Sequence, residues 1–506
     1  MCYNFFKDEE ERMKRNFKVI TSLVLALVLF LNATGIVLAA PEKPSGSPPS
    51  GGSAPGGSSS SASSVSYTGA STITSDTTKE GSSYSSTTGS ENALLVSGGT
   101  STLTNPTVTK SGDASGDEAD FYGTNAAIMC YNGATLNVIG GTVSTDGSHA
   151  NAVFAYGTGI INISNTTINT SSNNSGAIMV TGGGTLTANN VTAETQGNSS
   201  APIRSDRGGG TLTVNGGTYT SHGTGSPVIY STADITVNDA TLTSTASEGV
   251  VVEGKNSVTL NGVTMEATNT KLNGNSETYK SIFIYQSMSG DADVGTSTFT
   301  AKDSKIINNK GEIIFVTNTN TVITLENNKI INNDSEGNFL KATTAKWGTS
   351  GSNGGNVTLN LINQTVSGDI IVDDISTLDM KLSNGSTYTG AIDNENQAKS
   401  INVTLDSNSV IVLTNDSYID SLTNADSTNS NIYLNGHKLY VDGKEVSGNE
   451  GEYEGTTDED EEESNDTEAK NNNVVAYVGI AACLTVVIGT VVIVIIKKKK
   501  VKKSND

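Results

Sequence analysis

Thr211-Leu212-Thr213-Val214-Asn215-Gly216-Gly217-Thr218-Tyr219-Thr220 holds the pattern that decides the fold: two short runs of alternating apolar and polar residues, joined at Gly216. Period-two alternation puts one face of each run inward and the other outward. The pattern recurs along the chain. Its turn position is always Gly, Asn or Asp: Gly140, Asn165, Asn190, Gly216, Asp239, Gly262, Asp303, Asn327 and Asn363. These three types tolerate positive φ best. Successive positions lie 25, 25, 26, 23, 23, 41, 24 and 36 residues apart. A turn residue that returns about once per 24 residues predicts a chain wound in coils.

Each coil has three strand-like pieces. The first is Ala127-Ile128-Met129-Cys130-Tyr131, the second Thr135-Leu136-Asn137-Val138, and the third, after the turn, Gly141-Thr142-Val143-Ser144. Leu186, Leu212, Ile235 and Val258 match Leu136; Ile168, Tyr219, Leu242 and Met265 match Val143. Each strand pairs with its equivalent one coil on, about 4.8 Å away, so about twelve coils make a rod on the order of 60 Å long. The expected fold class is all-β. Asn435-Gly436, between Ile432-Tyr433-Leu434 and Lys438-Leu439-Tyr440-Val441, is expected to form a tight hairpin that caps the carboxyl end.

Outside residues 66–445 the chain changes character. Lys14, Arg15 and Lys18 precede an apolar run ending in Val37-Leu38-Ala39, the pattern of a signal peptide over residues 1–39, with Met13 as an alternative start to Met1. Residues 40–65 are a Pro/Gly/Ser-rich linker, expected to be disordered. Residues 446–473 form an acidic stalk, also expected to be disordered. Val474 to Ile496 carries no charge, is long enough to cross a bilayer as a helix, and is followed by a lysine-rich tail over 497–506. The tail is expected to be cytoplasmic and residues 40–473 extracellular. The expected location is therefore the cell membrane, crossed once.

The chain has 506 residues, a net charge of −22, 35% hydrophobic and 5% aromatic content. That charge makes nucleic acid a poor partner. Of three cysteines only Cys130 lies in the expected ectodomain, so no disulfide forms there, and it is expected to be a small buried residue.

The coil pattern resembles right-handed parallel β-helix surface proteins of bacteria, which share the pectate-lyase-like architecture and include many adhesin-like, repeat-rich members. The resemblance covers residues 66–445. It rests on coil length, on the Asn/Gly/Asp turn after TLTV-like strands, and on the ending DSYIDSLTNADSTNSNIYLNGHKLYVDG over 416–443. It implies a single-stranded right-handed parallel β-helix on a Gram-positive cell. It further implies adhesin-like binding of a host or neighbour surface or of polysaccharide. The alternative it offers is a cell-surface polysaccharide lyase or glycoside hydrolase.

Aligning the first strands gives an outward row of Met129, Phe154, Met179, Arg204, Tyr230, Val252, Ile284, Phe315 and Lys341. The next outward row is Tyr131, Tyr156, Thr181, Asp206, Thr232, Gly254, Gln286, Thr317 and Thr343. An exposed apolar stripe on a secreted protein marks a ligand face. Arg204 and Arg207, the only ectodomain arginines, flank Asp206, and a guanidinium grips carboxylate or uronate in a bidentate manner. Trp347, the single tryptophan, lies in a Gly-rich insertion suited to stacking on a sugar face. The candidate ligand-binding residues are thus Tyr131, Phe154, Tyr156, Arg204, Asp206, Arg207, Tyr230 and Trp347.

No catalytic residue, cofactor or metal is assigned. Asp113, Asp117, Glu118 and Asp120 are carboxylates of the kind that hold calcium, but their spacing fits no calcium loop. An enzyme of this architecture needs clustered acids. The alignment puts only Asp206 on the outward face, Glu253 inward and Asp373-Asp374 several coils away, which disfavours catalysis. Thr185, Thr187, Thr211 and Thr213 also admit an ice-binding face, but outward Thr is what any strand exterior prefers.

Overall fold

A computed structural model describes residues 65–453. The expected signal peptide, the linker up to residue 64, the stalk from residue 454, the span Val474–Ile496 and the basic tail lie outside the described residues. Among the described residues no helix is long and apolar enough to cross a membrane.

The described chain is a parallel β-solenoid of about fifteen turns, against the twelve expected. The first strands form one sheet of 12 strands, from Gly69–Ile73 to Ile370–Val372. The second strands, and the third strands of most coils, form a sheet of 22 strands. Coils extend before Ala127 and beyond Asn363, through the strands Gly69–Ile73 to Thr107–Lys110 and Thr377–Ser383 to Leu439–Val441.

All nine turn residues anticipated from the sequence have φ between 47° and 69°. Gly81 and Asn105 extend the same column toward the amino end, and Asn384 toward the carboxyl end, each with positive φ. Side chains in the column bond to one another: Asn190 Nδ2 donates to Asn165 Oδ1 at 2.8 Å, and Asn327 Nδ2 to Asp303 Oδ1 at 2.7 Å. A second amide ladder rises through Asn189, Asn215, Asn238 and Asn261 with bonds of 2.9, 2.8 and 2.9 Å. Column and ladder thus tie successive corners to one another through side-chain hydrogen bonds.

The core is the inward stack. Leu136, Ile161, Leu186, Leu212, Ile235, Val258 and Phe299 lie one above another, all fully buried. Each such side chain contributes about 1.5–3 kcal/mol through burial. Cys130 is buried as expected, and burial pushes its thiol up to about 12.

The carboxyl end differs from the expected hairpin. Ile432–Tyr433 and Leu439–Val441 both pair in parallel with the previous coil, so Asn435-Gly436 is an ordinary corner. The antiparallel hairpin lies one step later, where Leu439–Val441 pairs with Lys444–Val446 across Asp442-Gly443, both at positive φ. Asn449 bonds back to Ile432, and the Tyr453 ring lies 4.9 Å from that of Tyr433. Packing against the last coil thus continues past residue 445.

Candidate functional site

The outer face of the first-strand sheet carries most of the candidate residues, in three zones. In the first, Met129, Phe154 and Met179 do point away from the solenoid core, but they are not exposed. They form a separate apolar cluster with Leu95 and Ala126, and each of the three is 0% accessible. The cover is the segment after the second coil, including the short helix α1 (Asp117–Tyr122). Tyr67 donates from its hydroxyl to Tyr122 O at 2.8 Å, and Thr181 Oγ1 donates to Phe121 O at 2.7 Å. The Tyr131 ring lies tilted 4.4 Å from that of Tyr67, and Tyr156 lies 5.7 Å from Tyr122. Gly123 crosses directly over Phe154. It has φ of 71°, and a Cβ there would sit 2.7 Å from the ring. The expected open stripe is therefore a second, covered core.

The middle zone is polar. Arg204 bonds Asp206 Oδ2 through Nη2 at 2.8 Å and Nε at 3.1 Å, and Nη1 donates to Ser199 O. Asp206 is buried, and burial outweighs the pull of Arg204, pushing its carboxyl up to about 6. The register here corrects the sequence alignment. Tyr230 pairs with Val251, and Val251 with Phe283, so Val252 and Ile284 belong to the core instead. One row further, Glu253 pairs with Tyr285, so these two, not Gly254 and Gln286, follow Thr232. Val250-Val251-Val252 and Ile282-Phe283-Ile284 are apolar at every position, so alternation could not set their phase.

Glu253 consequently faces outward, two coils from Asp206, and is 1% exposed. Its carboxylate accepts from Tyr230 at 2.5 Å, from Tyr285 at 2.9 Å, and from the Ser287 hydroxyl. Burial above all raises both tyrosines well above their ordinary value, helped at Tyr230 by Tyr285 and then Glu253, and at Tyr285 by Glu253. Two acids, Asp206 and Glu253, therefore lie on this outer face, where the alignment put one. Glu253, Tyr285 and Ser287 were missed because of the one-residue slip, and a check of coil length from Tyr230 onward would have found them.

Arg207 ties this zone shut. Its Nε donates to Asp291 at 2.5 Å, its Nη1 to Asp117 at 2.7 Å, and its guanidinium lies 3.9 Å from the Phe121 ring. It thereby joins the α1 cover to the loop after Tyr285. Beside it is a cleft of about 380 Å³, lined by Gly208 to Gly210, Thr232, Asp234, Lys255 and Asp293. Both cations there are engaged, since Lys255 pairs with Asp293 at 2.9 Å.

In the third zone, Trp347 lies 5.1 Å from Phe283 and 5.3 Å from Tyr285, over a cluster with Val251 and Phe315. It packs on the coil beneath. Phe283→Ala is expected to shift the emission of this single tryptophan toward that of a water-exposed indole. Unchanged fluorescence would show that other contacts hold the ring.

The acidic residues near α1 diverge. Asp113 accepts from Ser148 N, Asp117 pairs with Arg207, and Asp120 pairs with His149 at 2.6 Å. Among the described residues no group of three or more His, Cys, Asp or Glu could hold a metal ion.

A separate open groove of about 420 Å³ runs past the ends of the third strands on four successive coils, from Thr109 to Gln196. The sequence alignment followed first strands and passed it by. Stacking Thr109, Ser144, Asn169 and Glu194 would have shown it.

No family model, curated protein or solved structure matches this chain.

Proposed function

We propose that this chain is a membrane-anchored surface β-helix that binds extracellular polysaccharide in an adhesin-like manner. The signal-peptide pattern, and Val474–Ile496 followed by lysines, support display outside a Gram-positive cell with the carboxyl end inside. The strong preference of parallel crossover connections for the right hand supports a right-handed coil, as in the pectate-lyase-like architecture. The observation that carries the ligand class is a ladder of identical exposed hydroxyls. Thr107, Thr142, Thr167, Thr192, Thr218, Thr241 and Thr264 stack in register on successive coils. Hydrogen-bonding groups repeated about every 4.8 Å suit a polymer that itself repeats hydroxyls. The test is to incubate the purified full chain with neutral and acidic glycans and measure both binding and chain cleavage. Binding without new chain ends is expected. Binding to none of them would overturn the proposal.

A second reading, a surface glycoside hydrolase or lyase, draws on Asp206 and Glu253 sharing one outer face two coils apart. It expects new reducing or unsaturated ends from one of the same glycans, abolished in Glu253→Gln.

A further inference from the structure

We infer that the groove at the third-strand ends seats a linear neutral glycan lying parallel to the coil axis, an inference that rests on the polysaccharide-binding reading above. The groove is built from two columns in register. Thr109, Ser144, Asn169 and Glu194 form one wall. Ser111, Asp146, Ser171 and Gln196, at the start of the corner loops, form the other. Every residue of both columns except Ser144 is exposed. Its volume, about 420 Å³, falls within the range of small-molecule sites. It crosses four coils, so a chain within it meets hydroxyl, amide or carboxylate groups at each step.

Lys110, Thr145 and Thr170 stack on the inward phase of the same strands and are buried, so the groove presents only the two outward columns to a ligand.

Charge selects the class of glycan. Asp146 and Glu194 are the exposed charged groups lining the groove, and Glu194 Oε1 also accepts from Gln196 Nε2 at 2.8 Å and lies 2.9 Å from His222 Nε2. Lys110, the one cation in the lining, is buried, and its amine donates to Thr88 O at 2.7 Å and Gly112 O at 3.0 Å. No lining cation is left to receive a uronate or sulfate, and a chain of net charge −22 repels both. Carboxylates accept from sugar hydroxyls, and amides both accept from and donate to them. No aromatic ring lines the groove, so recognition proceeds by hydrogen bonds along the chain rather than by stacking.

The test uses the full chain, a set of linear neutral oligosaccharides, and oligogalacturonate as the acidic counterpart, with binding measured by calorimetry. Asp146→Ala combined with Glu194→Ala, both surface changes, is expected to weaken binding of the neutral glycan by tenfold or more. Thr236→Ala combined with Thr259→Ala, on the second-strand face, is expected to leave it unchanged. Neutral-glycan binding that the groove variant does not weaken overturns this site while leaving the polysaccharide reading in place. Binding of oligogalacturonate alone overturns the ligand class. Binding of neither overturns the broader reading and this inference with it.

Discussion

Arg204→Ala is expected to destabilise the solenoid by about 3–5 kcal/mol at pH 7, because it leaves Asp206 buried without its partner. The loss is read from urea unfolding of parent and variant. Asp206→Ala is expected to cost a similar amount, since it strands the guanidinium. Arg204→Met with Asp206→Leu is expected to recover most of the loss, because well-packed apolar residues often replace a buried ion pair at little cost. Single losses under about 1 kcal/mol would show instead that the pair behaves as a screened surface bridge.

The pH dependence follows from the raised carboxyl. Asp206 titrates near 6 when folded, against 3.8 for the free side chain. The folded state therefore holds this proton more tightly than the unfolded state does. The stability it contributes is fully present below about 3.8 and is lost as pH rises through about 6. Removing Arg204 takes away a stabiliser of the charged form and drives the carboxyl higher still. The gap in stability between parent and Arg204→Ala should accordingly be smaller at pH 4.5 than at pH 7. A gap that stays constant would mean that Asp206 does not titrate in this window.

Phe154→Ala is expected to cost about 3–5 kcal/mol, the usual range for emptying a fully buried aromatic site. A second readout follows from geometry. Phe154 lies directly beneath Gly123, so its loss should loosen the cover and speed protease cleavage between residues 112 and 124. Were Phe154 an open platform for a ligand, the variant would match its parent in both stability and cleavage.

Much of the architecture was legible in the residues. The nine turn positions all adopt the left-handed conformation that Gly, Asn and Asp allow. Leu136 and Leu212 stack where alternation put them, and Cys130 is buried. The candidate site was legible only in part. Arg204 and Asp206 share a face, because Ile203 and Ser205 alternate with them. The phase was lost at Val250-Val251-Val252, where alternation vanishes, and Glu253 went with it.

The sequence by itself determined the coil, because the alternation within strands and a turn residue that mostly returns after 23 to 26 residues are local properties. What reaches solvent was decided only by the tertiary structure. Thr181 meets Phe121 across 60 residues, Arg207 meets Asp117 across 90, and Phe283 is covered by Trp347. A strand pattern tells which way a side chain points from the core; whether another segment then lies over it depends on inserted loops folding back, and alternation holds no record of that.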